Sequence, residues 1–364
     1  MKISEVIQII EEIAPLSYQE SYDNSGLIVG KYNGKVTGVL ICLDSTEEIV
    51  DEAIANNCNL IIAHHPILFS GLKRLNGSNY IEKTILKAIK NDVAIYAAHT
   101  NLDNAYNGVN YKIAEKLGLK NCKPLVPKKE LLNKLVVFCP ITHFKQVKNA
   151  MFGAGAGTIG DYKECSFNSI GEGTFKPEGT AKPFVGTKNE LHTEKEVRVE
   201  MIVQSHLLSK VLSAMIDTHP YEEVAYDIFR IENRLENVGS GLVGELEDEI
   251  DEIPFLENLK TDLKTDCIRY TNLLNKKVKK VALCGGAGSF LLSDAIRASA
   301  DVFITGDFKY HQFFDAENKI IIADIGHYES EQFTKELIYD ILTKKITNFA
   351  VRLSEINTNP INYL

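Results

Sequence analysis

A chain of 364 residues, 45% hydrophobic and 24% charged, has the proportions of a soluble globular protein and the length for two or three folding units. Its 49 acidic against 40 basic residues, a formal net charge of −9, argue against a bulk electrostatic embrace of nucleic acid and leave room only for a local basic groove. Seven cysteines, an odd number without paired short spacing, point to reduced and mostly buried thiols rather than to disulfides or a thiolate zinc site. At the amino terminus Ile3, Val6, Ile7, Ile10 and Ile13 fall at helical spacing with carboxylates between them, which predicts an amphipathic helix, not a signal peptide. No apolar stretch is long enough to span a bilayer and neither end carries a lipidation signature, so a cytoplasmic protein without a membrane partner is expected.

A strand over 36–42, a helix over 46–56 and a strand over 60–63 follow, the last running into His64-His65-Pro66. The apolar run Ile95-Tyr96-Ala97-Ala98 leads into His99-Thr100-Asn101-Leu102-Asp103. Much later, Ile320-Ile321-Ile322-Ala323 leads through Asp324 to His327 and Glu331. Runs of four or five strand-forming residues without alternation suit strands buried on both faces of a mostly parallel sheet. In such sheets ligands gather beyond the carboxyl ends of the strands, where these His, Asp and Glu side chains fall.

From about 132 to 231 the character changes. Strand signals at 134–139 and 197–203 flank a stretch that is glycine-rich at 153–160 and again at Gly171-Glu172-Gly173, then polar to Lys195. A helix near 209–217 and a strand near 224–231 come next. Strand, helix, hairpin, strand, helix, strand is the order of a ferredoxin-like α+β unit, so an inserted domain at 131–235 is expected between lobes at 1–130 and 236–364. A shift of 242 residues, which carries position 42 onto 284, aligns Val39, Cys42, Ala53, Ile54 and Ile62 with Val281, Cys284, Ala295, Ile296 and Ile304. The second copy then reads as strand 278–284, helix 290–299 and strand 302–305. Two duplicated α/β lobes across a shared site are the economical reading; two unrelated βαβ units with the same periodicity are the alternative.

The chemistry sits where the strands end. Adjacent His64 and His65 project in different directions from a backbone that Pro66 holds extended, so two metals take them more readily than one. His327 and Glu331, four residues apart, share a face of one helical turn. With Asp103 these make three imidazoles and two carboxylates, the donor set of a two-metal hydrolytic centre with ions about 3.5–4 Å apart. Mixed nitrogen and oxygen donors suit Zn, Mn, Fe, Co or Ni. His99, His311 and Asp307 belong to the same rim, as holders of the ligands or as proton donors. Cys284-Gly285-Gly286-Ala287-Gly288-Ser289 is either an anion cradle or a tight strand-to-helix turn. His219-Pro220-Tyr221-Glu222-Glu223 reads as a turn before a strand, with a third metal or regulatory site as the alternative.

These residues resemble the NGG-interacting-factor-three-like dinuclear-metal proteins, many labelled GTP cyclohydrolase I type 2 homologues. The resemblance runs nearly end to end and rests on Asp23-Asn24-Ser25-Gly26-Leu27-Ile28-Val29-Gly30, Ala63-His64-His65-Pro66, His99-Thr100-Asn101-Leu102-Asp103, Thr305-Gly306-Asp307-Phe308-Lys309-Tyr310-His311 and Gly326-His327-Tyr328-Glu329-Ser330-Glu331. It implies two divalent metal ions per chain on His64, His65, Asp103, His327 and Glu331, with Glu331 as the bridge. It also implies a toroidal homo-hexamer and an insert similar to CutA-like or PII-like modules. Tyr22 stands where the family often has Trp, which bears on local packing alone. The expected activity is metal-dependent hydrolysis of a nucleotide or other phosphorylated small molecule. GTP cyclohydrolase chemistry is the named candidate: activated water attacks C8 of the purine, formate leaves, and His99 or His311 shuttles protons. A two-metal phosphoester hydrolase and a non-enzymatic, ligand-sensing hexamer are the alternatives.

Overall fold

The structure, a computed structural model, describes residues 1–364 and divides into two compact units, 1–128 with 236–364, and 129–235. The first unit opens with helix α1 (Ile3–Glu11), which buries Ile3, Val6, Ile7 and Ile10. Strands β1 (Gly26–Val29), β2 (Gly38–Cys42), β3 (Leu60–Ala63) and β4 (Ala94–Ala97) follow, with α2 (Glu47–Ala55) and α3 (Tyr80–Lys90) as crossovers. Thr46 and Asn79 start these two helices by accepting hydrogen bonds from the N–H groups of Ile49 and Glu82. Every residue of β2, β3 and β4 is buried, as the unbroken apolar runs require. Ile61 and Ile95 pack with Ile49, Val50 and Ile85 from the helices, each fully buried side chain contributing about 1.5–3 kcal/mol. Helix α4 (Thr100–Asp103), helix α5 (Val109–Lys116) and strand β5 (Lys120–Lys128) lead to the second unit.

That unit runs β6 (Leu132–Pro140), α6 (Phe144–Gly153), β7 (Phe167–Phe175), β8 (His192–Gln204), α7 (Leu208–Thr218) and β9 (Tyr226–Arg230). Its sheet has the order β7-β8-β6-β9 with every pair antiparallel, the strand order of a ferredoxin-like unit. Alternate residues Leu135, Val137 and Cys139 of β6 and Val197, Val199, Met201 and Val203 of β8 bury against Val147 and Met151 of α6 and Val211 and Met215 of α7. The Gly171-Glu172-Gly173 segment lies within β7, a strand exposed along most of its length.

The chain then re-enters the first unit through β10 (Leu235–Asp251), α8 (Glu252–Asp262), β11 (Arg269–Tyr270), β12 (Lys277–Ala287), α9 (Leu292–Arg297), β13 (Val302–Gly306), β14 (Ile321–Asp324), α10 (His327–Glu331), α11 (Thr334–Thr343) and β15 (Ala350–Leu353). The first sheet has the order β1-β4-β3-β2-β15 and the other β11-β14-β13-β12-β10-β5. In both, three parallel strands stand in reverse chain order and an antiparallel strand, β1 or β11, closes the side of the last. This shared topology supports duplication over a chance alignment of two βαβ units. The copies differ between strands. The helix expected over 290–299 is a 3-10 turn at Ser289–Leu291 followed by the short α9, and the counterpart of α3 is a 3-10 helix at Tyr310–Ala316. All seven cysteines are free, and Cys42, Cys58, Cys139 and Cys284 are buried. No helix is long and apolar enough to cross a membrane.

Candidate metal centre

Beyond the carboxyl ends of β3, β4 and β14 lies a cleft of about 540 Å3. His64 and His65 leave β3, and their N–H groups donate to the Leu43 carbonyl at 3.1 and 2.9 Å, which fixes the chain where the rings diverge. Asp103 is the last residue of α4; His327 and Glu331 begin and end α10. His64 Nδ1 donates to the Ala98 carbonyl at 2.7 Å, His65 Nδ1 to Asp44 Oδ1 at 2.7 Å and His327 Nδ1 to Asp307 Oδ2 at 2.7 Å. Each bond turns an Nε2 lone pair toward the cleft, the arrangement by which histidine ligands are held for a metal.

The five predicted ligands fall into two groups. His64, Asp103 and Glu331 place one donor atom each within 4.8 Å of one another, and so do His65, His327 and Glu331; His64 and His65 also form such a group with His99. Glu331 belongs to both: Oε1 is 3.6 Å from His64 Nε2, while Oε2 is 2.9 Å from His65 Nε2 and 3.1 Å from His327 Nε2. His64 Nε2 is also 3.6 Å from Asp103 Oδ1, too far for a hydrogen bond, and both atoms are buried without a partner. A buried polar atom left unpaired costs about 1–3 kcal/mol, so two of them aimed at one point beside a carboxylate fit the binding of a cation. The donor set therefore suits a divalent metal, and no other triad of this kind occurs in the chain outside this cleft.

Electrostatics without an ion point the same way. Burial lifts the Asp103 carboxyl to about 8, with the Glu331 charge adding to the rise. Burial opposes protonation of His65 and His327, yet Asp44, Asp307 and Glu331 raise them to about 10 and 11. Glu331 is held well below the usual carboxylate range, because His64, His327 and His65 outweigh its burial. Protons on these groups stand in for positive charge that the packed carboxylates demand.

The glycines of β12 answer to Glu331. Gly286 has φ +62°, and a Cβ there would lie 2.3 Å from Glu331 Oε1. The N–H groups of Gly285, Gly286 and Gly288 donate at 2.9 Å to Asn110 Oδ1, Ser330 Oγ and Thr305 Oγ1. With those donors taken, the segment is not an anion cradle; it lets a strand pass close beneath the carboxylate.

His99 stands in the cleft, its ring 5.3 Å from that of His64 and 5.5 Å from that of His65. Its Nδ1 donates to Asp23 Oδ1 at 2.7 Å, and Asp23 also accepts from the Thr100 N–H at 3.0 Å. Burial notwithstanding, His99 and Thr100 keep the Asp23 carboxyl well below its ordinary value. His311 is placed elsewhere: it is exposed, packs on Tyr310 and Phe314, and is not among the residues lining the cleft, because the Tyr310–Ala316 helix turns it outward. Asp44 was not singled out in the sequence, although it follows the buried run of β2 just as His64 follows β3. Asp324 is structural, pairing with Arg269 and accepting from the Phe308 N–H at 2.8 Å.

The model of the Duf34/NIF3 (NGG1p interacting factor 3) family matches residues 1–360. A protein of Halalkalibacterium halodurans named GTP cyclohydrolase 1 type 2 homolog is 40% identical over 364 residues, covering 99% of this chain and 98% of its own. Its Bacillus subtilis namesake is 40% identical over 366 residues with the same coverage. Among solved structures, a Bacillus cereus protein related to NIF3 is 40% identical with a TM-score of 0.86, covering 100% of this chain and 99% of its own. Reduced HcgD from Methanocaldococcus jannaschii, 20% identical with a TM-score of 0.59 and covering 98% of each chain, shares the fold.

Proposed function

The chain belongs to the Duf34/NIF3 family, and from that membership and the geometry of its cleft we propose a dinuclear-metal hydrolase acting on a nucleotide. The observation that carries the reading is the pair of orphaned buried atoms, His64 Nε2 and Asp103 Oδ1, converging beside Glu331. On this reading His64, Asp103 and Glu331 hold one divalent ion, and His65, His327 and Glu331 the other. Once bound, such ions supply an acidified water as nucleophile and positive charge opposite a phosphate. His99, oriented by Asp23, is the side chain placed to carry a proton to or from the substrate.

Aromatic side chains favour a planar base. Tyr22, Phe69, Tyr80 and Phe290 line the cleft yet stay 57–67% exposed, offering their faces to a ligand above the ligating residues. The name borne by the curated relatives makes GTP the first substrate to test, with hydrolysis at C8 of guanine opening the five-membered ring and releasing formate. The proposal includes a homo-hexamer and a CutA-like or PII-like insert, the latter supported by its β7-β8-β6-β9 strand order.

The test is product analysis by mass spectrometry, with the protein reconstituted separately with Zn, Mn, Fe or Co and given a nucleotide panel that includes GTP. A metal-dependent product absent from His64→Ala is expected. Phosphate instead of formate would redirect the assignment to a phosphoester hydrolase. Bound ions without any product would favour a metal-holding regulatory hexamer.

A further inference from the structure

Wholly within the inserted unit lies a cavity of about 750 Å3, a volume typical of small-molecule sites. Phe138, Phe175, Phe184 and Tyr221 give it aromatic walls. The Tyr221 ring is central, 5.9 Å from Phe175 at 59° and 6.3 Å from Phe184 at 47°. His219 fixes that ring's position: its Nε2 donates to the Phe138 carbonyl at 3.0 Å and its Nδ1 accepts from the Tyr221 N–H at 3.1 Å. Both imidazole nitrogens are thereby used, which removes the third-metal reading of this segment.

The charge in the cavity is one-sided. Glu172, Glu178, Glu196, Glu222 and Glu223 line it against Lys176 and Arg198. Lys176 pairs with Glu178 at 3.1 Å, and Arg198 with Glu200 at 3.0 Å, so neither cation is left to offset the remaining carboxylates. Glu196 reaches across β7, where a Cβ on Gly173 would lie 2.3 Å from its Oε2, so the glycine leaves room for the carboxylate. Beside it sits the buried Tyr221 hydroxyl. Burial, followed by hydrogen bonding to the Glu196 carboxylate and then that group's charge, pushes the phenol pKa up, so the hydroxyl stays neutral.

A bare metal ion does not fit, because no three carboxylate or imidazole donors converge here as they do in the cleft. An anion is repelled. Aromatic faces attract a cation whose charge is spread over an organic body, and carboxylates at the rim complete its neutralisation. We propose that the inserted unit binds a small organic cation, an ammonium or guanidinium carried on an apolar body, with its apolar part against Phe175, Phe184 and Tyr221 and its charge toward Glu196.

Calorimetric titration of the full chain with phenethylamine, agmatine and spermidine tests this, with 2-phenylethanol as the uncharged match of the first. At least one amine should saturate with Kd below about 1 mM. Glu196→Gln, isosteric and on an open strand, should weaken binding by about tenfold or more, a loss typical of a removed charge contact. Phe184→Ala, whose ring is half exposed and whose loss leaves the core intact, should weaken it in the same direction. No saturation by any amine, equal affinity for 2-phenylethanol, or unchanged binding in Glu196→Gln would overturn the proposal.

Discussion

Glu331 is almost wholly buried, yet its two oxygens lie within 3.6 Å of three imidazole nitrogens. One residue thus serves both ligand groups, and its variants separate them. Glu331→Gln keeps the volume and removes the charge, so elemental analysis of the purified protein should show both ions lost; His64→Ala should lose one and keep the other. Stoichiometry that falls equally in the two variants would contradict the pairing. The imidazoles that hold protons also set the pH response. His65 and His327 have pKa values raised to about 10 and 11 from 6.5, so their contribution to stability is full below about pH 6.5 and fades as pH climbs toward those values. Asp103, raised to about 8 by burial, adds a cost that grows from about pH 4 to about pH 8 and is constant above it. Chelator-treated protein should therefore melt at progressively lower temperature from pH 7 to pH 10. Protein kept loaded has already given up those protons and should change little, and calorimetry at pH 7 should register proton release on loading.

Each candidate ligand is aimed by the element behind it. Asp44, after β2, fixes the His65 ring and itself accepts from the Thr358 hydroxyl at 2.5 Å. Asp44→Asn should cost about 10–100-fold in metal affinity while the fold melts normally, a split readable by competition with a chelating dye. Gly286→Ala forces a side chain into a positive-φ position and onto Glu331, and a loss of about 1–3 kcal/mol in unfolding free energy together with weakened metal binding is expected. The strands that carry ligands were legible in the sequence because burial on both faces leaves unbroken apolar runs, which stop where the chemistry starts. Strand β10 was not legible: its outer half pairs with β12 at Glu245, Ile250 and Asp251 around a register shift and carries carboxylates toward solvent, so no side-chain pattern marks it. The outward placement of His311 was not legible for a related reason. Its neighbour Asp307 does meet His327, but the 3-10 helix that follows rotates the next residues away, and nothing in the local sequence fixes that turn.

At the scale of the molecule, every metal-ligand candidate lies in the discontinuous unit and none in the insert. The insert interrupts that unit between β5 and β10, neighbours in one sheet, so the chain around it can be closed by a short loop. Replacing 129–235 with such a loop should leave metal content unchanged and abolish binding of organic cations. A coincident loss of metal would show that the insert contributes to the cleft. The matching strand order of the two sheets was visible at a shift of 242 residues, whereas the grouping of the candidate donors was not, because it depends on how segments distant in the chain meet.

That docking gives the bridging carboxylate a mechanical role. His65 and Glu331 touch across 266 residues of sequence, so ions held between them would fasten the two lobes like a latch, closing one of the longest loops the chain can make. The entropy recovered when such a fastening opens rises only slowly with loop length, but it is already several kcal/mol at this span, about 5–6 by the polymer estimate. Drawn apart from its two ends, the loaded protein would have to shed β15 from β2 before the load reached that latch.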